Sequence, residues 1–555
     1  MASWLVASVA FAQSPLEIVL TTELDRAAAA LATRDEPPHY VSLELEDWEQ
    51  ITVSARDGTL GTSNERRVRF LDVDLRTGTP ELDSTHPLRG FSVLADKDRD
   101  AVQVPLTDGY ALRHAVNREL DANYRQAAER IVVLRANRDV KVEEEDPAPD
   151  FEPRPPVVDR SEPGALVVDR AQWEQWLVEL SNRIERAPEV HQGVVSLQAD
   201  RVVETFVDTE GTRLVHGRRH ARLSVMLSSV ALDGDEVNVF DAIDVHDPAS
   251  LPDRAEIERR VDAAVATLRA RLTAPRADPY SGPVLLSGRA TGVFFHEVLG
   301  HRVEGHRQKR DDEGKTFADQ VGQLVLPKFV DVVDDPTLQR FGDTDLNGFY
   351  TYDDEGVPAQ RVSIVDDGRF VGFLMGRSPI PGFPHSNGHG RRSAGNAAEA
   401  RMGNTLVTTT SPTPAAELRK LLVAQAKAQG LPYGYLIDEI EGGFTMTGRV
   451  TPNAFNVRAS STWRVYVDGR PDELVRGIDL VGTPLVAFHN LVATGDDPQV
   501  FDGVCGSDSG WVPVSAVAPS VLFSRLEFQL KEKGEERPPL LAKPTSRDDG
   551  AAEAR

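Results

Sequence analysis

The feature that most restricts the local fold of this chain is a run of evenly spaced histidines in the segment FFHEVLGHRVEGHRQ, residues 294–308. His296, His301 and His306 each lie five residues apart. Five residues turn an ideal α-helix through about 500°, so two such side chains diverge by about 140°. One regular helix therefore cannot direct His296 and His301 at a common point. The spacing predicts a π-bulge or a helix end between them, and Gly300 is a residue at which a chain leaves a helix at little cost.

His296 and Glu297 begin a pattern close to H-E-x-x-H, in which two histidines bind zinc and the glutamate handles the proton. Two ligands do not make a tight zinc site, because catalytic zinc usually takes three protein ligands and a water. Three further residues could supply the missing ligand: Glu304, His306 and Cys505. Cys505 is the only cysteine, and its surroundings, FDGVCGSDSGWVPVS, predict a glycine-rich loop. The alternative is that these histidines are ordinary surface or core residues near a helix end.

The length of 555 residues predicts two domains. In the second half of the chain glycine becomes more frequent and the β-branched runs become shorter, and this change predicts an α+β protein. We expect a mixed α/β domain over residues 15–250, with an exposed excursion rich in proline and acidic residues over 142–164. A β-rich domain that carries the metal-binding helix follows over residues 251–535. The charged tail, residues 536–555, is predicted to be disordered. Apolar periodicity predicts helices over residues 15–33, 110–137, 172–187, 256–272 and 414–429.

The net charge of −25 argues against nucleic acid and anionic membrane surfaces as main partners, because both require a basic face. No apolar run approaches the roughly 20 residues of a membrane span. The apolar run Ala2–Ala12 ends in an A-x-A pattern before Gln13, which predicts that residues 1–14 are the remnant of a signal peptide. The positively charged start of a signal peptide is missing. We expect a periplasmic or secreted protein, with a cytoplasmic one as the alternative.

Four motifs in the second half of the chain carry a resemblance to a known family. FFHEVLGHRVEG resembles the H-E-x-x-x-H segment of the TldD/PmbA metallopeptidases. Further matches to that family follow in the same order: YTYDDEGVPAQ, HSNGHGRRSAGNAAEARMGNT and GVCGSDSGWVPVS. Four ordered motifs are far more specific than any one of them. Residues 281–530 therefore resemble this family, whereas the upstream residues match only a general α/β pattern.

The resemblance implies a zinc peptidase in which His296, His301 and Cys505 bind the metal and Glu297 is the general base on the zinc-bound water. It also implies that the substrates are unfolded or extended peptides. The chain would act as a homodimer, or as a heterodimer with a paralogous subunit that lacks the histidine motif. Because this chain keeps the motif, it resembles the active, TldD-like subunit. One departure is Ser507, where the family has a lysine after C-G, so a role of that lysine does not carry over.

Several alternatives remain open at this point. The chain could be a non-catalytic scaffold with a structural or vestigial metal site, although such a site has no need of Glu297 beside His296. It could also be a redox or metal-sensing protein centred on Cys505. In HSNGHGRR, Arg391 and Arg392 belong either to a solvent-exposed loop or to a clamp for a substrate carboxylate or main chain. The segment DTDLNGFYTYDD partly matches a calcium-binding loop, but its family resemblance favours a strand and turn.

Overall fold

The computed structural model describes residues 13–87, 101–138, 147–310, 313–448 and 454–531. These residues form an α+β fold, as predicted, with one large N-terminal sheet and two large C-terminal sheets. Most of the predicted leader and the whole predicted tail, residues 536–555, lie outside the described residues. Within the described ranges, no helix is long and apolar enough to cross a membrane.

The described ranges contain seven α-helices, and the five predicted helices are among them. They are α1 (Pro15–Leu31), α2 (Tyr110–Arg138), α3 (Arg170–Glu185), α4 (Arg254–Thr273), α5 (Gly288–Val298), α6 (Ala415–Ala428) and α7 (Pro484–His489). Side-chain caps fix the start of several helices, because they satisfy backbone N–H groups that the first turn leaves free. Ser14, Asp169 and Asp253 each accept a hydrogen bond from the backbone N–H three residues later.

The N-terminal sheet is built around four long antiparallel strands. Its strands are β1 (Pro38–Arg56), β2 (Thr59–Thr79), β3 (Leu82–Asp83), β4 (Val102–Gln103), β5 (Val158–Arg160), β6 (Gln192–Asp208), β7 (Arg213–Val230) and β8 (Glu236–Val245). The order is β3-β2-β1-β6-β7-β5, with β4 paired to β2 and β8 to β7. Helices α1 and α2 pack over one part of the sheet, and α3 and α4 over another. The boundary between residues 250 and 251 stays a prediction, and α4, which follows it, packs on this N-terminal sheet.

Strand β1 shows how the sequence divides the two faces of this sheet. Val41, Leu43 and Leu45 are buried in one apolar cluster with residues of α1 and α2. Glu44 and Glu46 alternate with them and therefore point to the opposite face. On that face Glu44 forms an ion pair with Arg392 of the C-terminal half. The alternation in SLELE thus specifies a strand and also places acidic side chains toward the rest of the protein.

The C-terminal half contains the remaining strands. They are β9 (Tyr280–Leu286), β10 (Val330–Asp334), β11 (Arg340–Phe341), β12 (Thr344–Asp345), β13 (Val362–Asp366), β14 (Arg369–Phe370), β15 (Gly390–Arg391), β16 (Glu399–Ala400), β17 (Asn404–Thr409), β18 (Pro412–Thr413), β19 (Tyr433–Thr445), β20 (Phe455–Tyr466), β21 (Glu473–Val475), β22 (Ile478–Gly482), β23 (Leu491–Gly495), β24 (Gln499–Ser507), β25 (Gly510–Ala518) and β26 (Val521–Leu530). One sheet has the order β14-β13-β10-β17-β25-β24. The other has the order β18-β23-β26-β22-β20-β19-β9, and β9 also pairs with β26.

Helix α5 lies buried between the two large C-terminal sheets. Its Phe294 packs edge-on against Phe455 of one sheet and contacts Phe523 of the same sheet. Val512 and Val514 of the other sheet belong to the same apolar cluster. Every residue of α5 except the arginine at its second position is buried, as expected for a helix that is apolar all round. The helix that carries the first histidine is therefore held by packing from both sides.

The described part of the predicted excursion over residues 142–164, residues 147–164, is mostly irregular and exposed or half-buried, but Asp150 and Phe151 within it are buried. Phe151 is buried against Tyr40, and the Arg377 guanidinium lies over the Phe151 ring. Arg377 also donates to the backbone carbonyl of Glu152, 225 residues away in sequence. Proline and acidic residues predict a solvated segment, but one aromatic ring and one distant arginine dock this segment on the C-terminal half.

Candidate metal centre

The end of helix α5 falls between the first two histidines, as the spacing predicts. Ser287 caps the start of the helix by accepting a hydrogen bond from Ala290 N–H. The α-helix ends at Val298, and residues 300–302 form one turn of 3₁₀-helix that carries His301. Gly300 is needed for space rather than for a left-handed backbone: its φ is not positive, and a Cβ there would collide with the Met402 sulfur.

Cys505 lies in strand β24, so the predicted glycine-rich loop is wrong. It pairs in register with Val512 of β25, and only residues 508 and 509 form the turn. The glycines that suggested a loop make room for aromatic rings instead. A Cβ at Gly503 would crowd the Phe501 ring, and one at Gly506 would crowd the Trp511 ring. A regular strand therefore fixes the direction of the thiol.

The structure brings His296, His301 and Cys505 together. The Nε2 atom of His296 lies 3.2 Å from Cys505 Sγ, and the Nε2 atom of His301 lies 3.4 Å from it. The three candidate ligand atoms lie within 4.8 Å of one another, and all three side chains are buried. A tetrahedral zinc ion with ordinary Zn–N and Zn–S bonds separates nitrogen from sulfur by about 3.6 Å. The spacing of these atoms is therefore that of a zinc site.

The electrostatics of the cluster favour an ionised sulfur. Burial disfavours a thiolate, yet His301 and His296 hold the pKa of Cys505 well below its usual value. Burial also disfavours an imidazolium, but Cys505 and Glu304 raise the pKa of His301 to about 10. A divalent metal cation would supply positive charge beside the sulfur in place of protonated histidines. Two imidazole nitrogens and a thiolate are ligands that zinc takes, so this donor set fits the metal.

The other two candidate ligands do not join the cluster. Glu304 is fully buried behind His301, with its Oε1 atom 3.2 Å from His301 Nδ1. A carboxylate in that place would orient the imidazole and leave Nε2 available for a metal. His306 turns toward Glu399, whose Oε2 atom lies 3.3 Å from His306 Nε2. Only Cys505, of the three residues that the spacing left open, is grouped with the two histidines.

Glu297 follows His296 on the last turn of α5 and is also buried. Strand β19 passes close to its side chain: a Cβ added to Gly443 would lie 2.8 Å from Glu297 Cγ and 3.2 Å from Cδ. Arg302 donates to the backbone carbonyls of Glu297 and Val298 and so closes the end of the helix. The glutamate is thus confined between its helix and a glycine of the neighbouring sheet.

Two buried arginines beside the cluster were not among the site residues predicted from the sequence. Arg401 donates to the Cys505 sulfur, and Arg307 donates to Glu304 and to the Ser507 hydroxyl. Arg401 lies inside the motif HSNGHGRRSAGNAAEARMGNT, but the motif by itself gave this residue no role. Arg307 explains why position 507 is a serine in this chain and not the lysine of the family. A lysine at position 507 would place a second cation beside the buried Arg307 guanidinium.

Arg391 and Arg392 do not lie in a solvent-exposed loop. Arg391 is buried, donates to the backbone carbonyls of Met402 and Pro513, and stacks on Tyr350. Arg392 pairs with Glu44 and Asp72 of the N-terminal sheet. Their guanidinium groups are engaged within the protein, so these contacts offer no support for the substrate clamp. The interpretation as a loop failed because the sequence does not reveal the acidic face of β1 and β2.

A second group of possible metal ligands comprises Glu44, Glu204 and Asp354, whose carboxylate oxygens also lie within 4.8 Å of one another. Arg392 is paired to Glu44, and its backbone N–H donates to Asp354, so a cationic side chain already adjoins this group. Asp354 ends the segment that partly matches a calcium loop. The start of that segment forms the hairpin of β11 and β12 rather than a helix–loop–helix, in agreement with a strand and turn.

Comparison with known proteins assigns the C-terminal half to a described domain. Residues 279–530 match the PmbA/TldA metallopeptidase C-terminal domain. The chain is 27% identical to a metalloprotease of Methanothermobacter thermautotrophicus over 357 residues, which cover 59% of this chain and 68% of that protein. It is 26% identical to a metalloprotease TldD homolog of Haemophilus influenzae over 270 residues, 47% of this chain and 51% of that protein. A zinc metalloprotease TldD homolog of Saccharolobus solfataricus is 23% identical over 336 residues, 58% of this chain and 68% of that protein. The chain thus spans only about half the length of some of these relatives.

Solved structures share the fold over nearly the whole chain. TldE from Thermococcus kodakarensis aligns with a TM-score of 0.60 at 14% identity and covers 93% of this chain and 100% of that one. A Thermotoga maritima protein described as a modulator of a DNA gyrase aligns with a TM-score of 0.58 at 15% identity, over 92% and 100% of the two chains. At these identities the likeness concerns the fold.

Proposed function

We propose that this chain, whose residues 279–530 match the PmbA/TldA metallopeptidase C-terminal domain, is a zinc-dependent peptidase of the TldD/PmbA type. The observation that carries the proposal is the meeting of His296 Nε2, His301 Nε2 and Cys505 Sγ beside Glu297. The curated relatives named above are metalloproteases, and one of them is named a zinc metalloprotease. These names support metallopeptidase chemistry, and the ligand set supports zinc as the metal.

The chemistry that zinc supplies when bound is Lewis-acid activation of water and polarisation of a peptide carbonyl. In our proposal, the Glu297 carboxylate takes the proton from the attacking water and returns it to the nitrogen of the leaving amine. The Glu304 carboxylate lies against His301 Nδ1, so a proton on that nitrogen would leave the Nε2 lone pair available for the metal. Burial of the whole cluster excludes bulk water and strengthens the interactions of Glu297 with the reacting groups.

We propose unfolded or extended peptides as substrates and a dimer as the active form, with an identical or a paralogous partner subunit. An extended peptide exposes main-chain groups that a strand edge recognises with little regard for sequence. Strand β24, which carries Cys505, is the terminal strand of its sheet and therefore offers such an edge near the metal centre.

Metal stoichiometry on the purified protein tests the proposal. Elemental mass spectrometry is expected to find about one zinc per chain in the wild type and in Glu297→Gln, and little zinc in His301→Ala and Cys505→Ser. His489→Ala removes an exposed histidine at the end of α7 and is the matched control that keeps its zinc. A wild-type protein without zinc after zinc-supplemented expression would contradict the proposal.

Glu297→Gln also separates the peptidase from the scaffold alternative. Hydrolysis of an unfolded peptide by the assembled protein should be lost in this variant while its zinc content stays at the wild-type level. Zinc-loaded Glu297→Gln protein that cleaves peptides at the wild-type rate would assign the chemistry to a partner subunit and leave this chain a scaffold.

A further inference from the structure

Arg401 is completely buried directly beside Cys505. Its Nη2 atom donates to Cys505 Sγ at 3.2 Å and to the Cys505 carbonyl oxygen at 2.8 Å. Its Nη1 atom donates to Ser509 Oγ at 2.7 Å and to the Gly510 carbonyl oxygen at 3.1 Å. A guanidinium is planar and presents its donors in a fixed fork, so these four bonds define its orientation. Arg401 therefore forms hydrogen bonds both to Cys505 and to the turn that follows it.

Glu304 connects this arginine to the histidine side of the cluster. Its Oε1 atom lies 3.4 Å from Arg401 Nε and 3.2 Å from His301 Nδ1. Its Oε2 atom accepts hydrogen bonds from Arg307, with the nearest nitrogen at 2.8 Å. A continuous chain of contacts thus runs from His301 through Glu304 and Arg401 to Cys505. It joins two residues that lie 204 positions apart in sequence.

We propose that Arg401 and Glu304 are positioning residues that hold His301 and Cys505 in the geometry required for the metal and that tune the sulfur. The inference rests on the proposed function, because it concerns a metal-loaded centre. A cationic donor to the thiolate stabilises the electron pairs of the sulfur and reduces the charge that the sulfur gives to the metal. A metal with a thiolate ligand thereby keeps more of its power to polarise a carbonyl.

Charge balance supports this role. With a metal bound, the Cys505 thiolate and the Glu304 carboxylate would be two anions in a buried site, and a buried charge without a partner is costly. Arg401 contacts both anions at once, which a lysine with one compact ammonium group does not reproduce. The motif HSNGHGRRSAGNAAEARMGNT thus places a guanidinium behind the ligands. The same stretch sets Met402 against Gly300, at the start of the turn that carries His301.

The test compares Arg401→Lys with the wild type by two measurements that do not depend on peptidase activity. One is zinc affinity by competition with a chromophoric chelator. The other is the thiolate-to-metal charge-transfer band of the cobalt-substituted protein. We expect zinc affinity to fall by about 10–100-fold, because the lysine does not hold Cys505 and Glu304 in place as the guanidinium fork does. We expect the band to shift to lower energy, because the sulfur loses its guanidinium donor. Arg391→Lys is the matched control: it alters another buried arginine of the same stretch, which donates to the backbone carbonyls of Met402 and Pro513 instead of to the Cys505 sulfur.

Equal affinities and band positions in wild type, Arg401→Lys and Arg391→Lys would overturn the inference while leaving the zinc centre intact. A wild-type protein without a charge-transfer band would refute the metal centre itself, and with it both proposals. If Arg401→Lys does not fold, Ser509→Ala decides the matter by removing one anchor of the guanidinium. A shift of the band in the same direction, but smaller, is expected for Ser509→Ala, and an unshifted band would count against the inference.

Discussion

The close approach of Gly443 to Glu297 makes a methyl group there a specific probe of the proposed base. In Gly443→Ala the new Cβ would lie 2.8 Å from Glu297 Cγ and 3.2 Å from the Asn456 carbonyl oxygen. Two carbons prefer a separation of about 3.5–4.0 Å, so the glutamate must move by about 1 Å or the strand must retreat by as much. Gly443 does not have a positive φ, so the substitution adds bulk without forcing the backbone.

A displacement of about 1 Å at a catalytic group costs about 10²-fold in rate. We therefore expect kcat for an unfolded peptide to fall by about that factor, while the zinc content of Gly443→Ala stays at the wild-type level. The assay is steady-state hydrolysis of a quenched fluorescent peptide, with zinc measured on the same preparation. Gly164→Ala serves as the control, because its Cβ would meet Arg219 at an ordinary 3.5 Å. An unchanged kcat in Gly443→Ala would refute the placement of Glu297 as the base.

Three further predictions follow from the same structure. Glu297→Gln should lower kcat by about 10²–10⁴-fold at unchanged zinc content, which steady-state kinetics beside metal analysis will show. His306→Ala should keep about one zinc per chain, because His306 faces Glu399; loss of zinc by elemental analysis would make it a ligand. Burial, reinforced by Asp72 and Glu204 and offset in part by Arg392, raises the pKa of Glu46 to about 8. The folded state then holds a proton that the unfolded state releases near pH 4.5, so stability should decrease as pH rises from about 5 to 8. Thermal melting should show a shallower decrease in Glu46→Gln, and an equal slope in both proteins would contradict the assignment.

The end of helix α5 could be predicted from spacing alone, but the third ligand could not. A five-residue interval excludes a continuous helix that chelates, and the chain does leave the helix between His296 and His301. Which of Glu304, His306 or Cys505 approaches the pair depends on packing across 204 residues, and local sequence does not encode it. Only the resemblance of four ordered motifs singled out Cys505.

Glycine content near Cys505 led to a wrong prediction for a physical reason. Glycine near Cys505 suggested a loop, but Gly503 and Gly506 lie within strand β24 beneath aromatic rings. Gly390, beside Arg391, is likewise buried where a Cβ would collide with Glu355. A glycine required by a close neighbour and a glycine required by a turn look identical in one sequence. The burial of Arg401 escaped prediction because its partners come from the distant segments at Glu304 and Cys505.

The separation of His301 and Cys505 along the chain has a consequence for folding. A chain with one cysteine cannot form an internal disulfide, but a metal bound to both residues would act as a covalent-like cross-link that closes a loop of about 204 residues. Closing a loop of that length lowers the entropy of the unfolded chain by an amount worth about 5 kcal/mol. That is a large share of the stability of a typical domain. Removal of zinc would then loosen the packing of β24 against α5 as well as abolish the chemistry, and the supply of metal would govern how much folded protein persists.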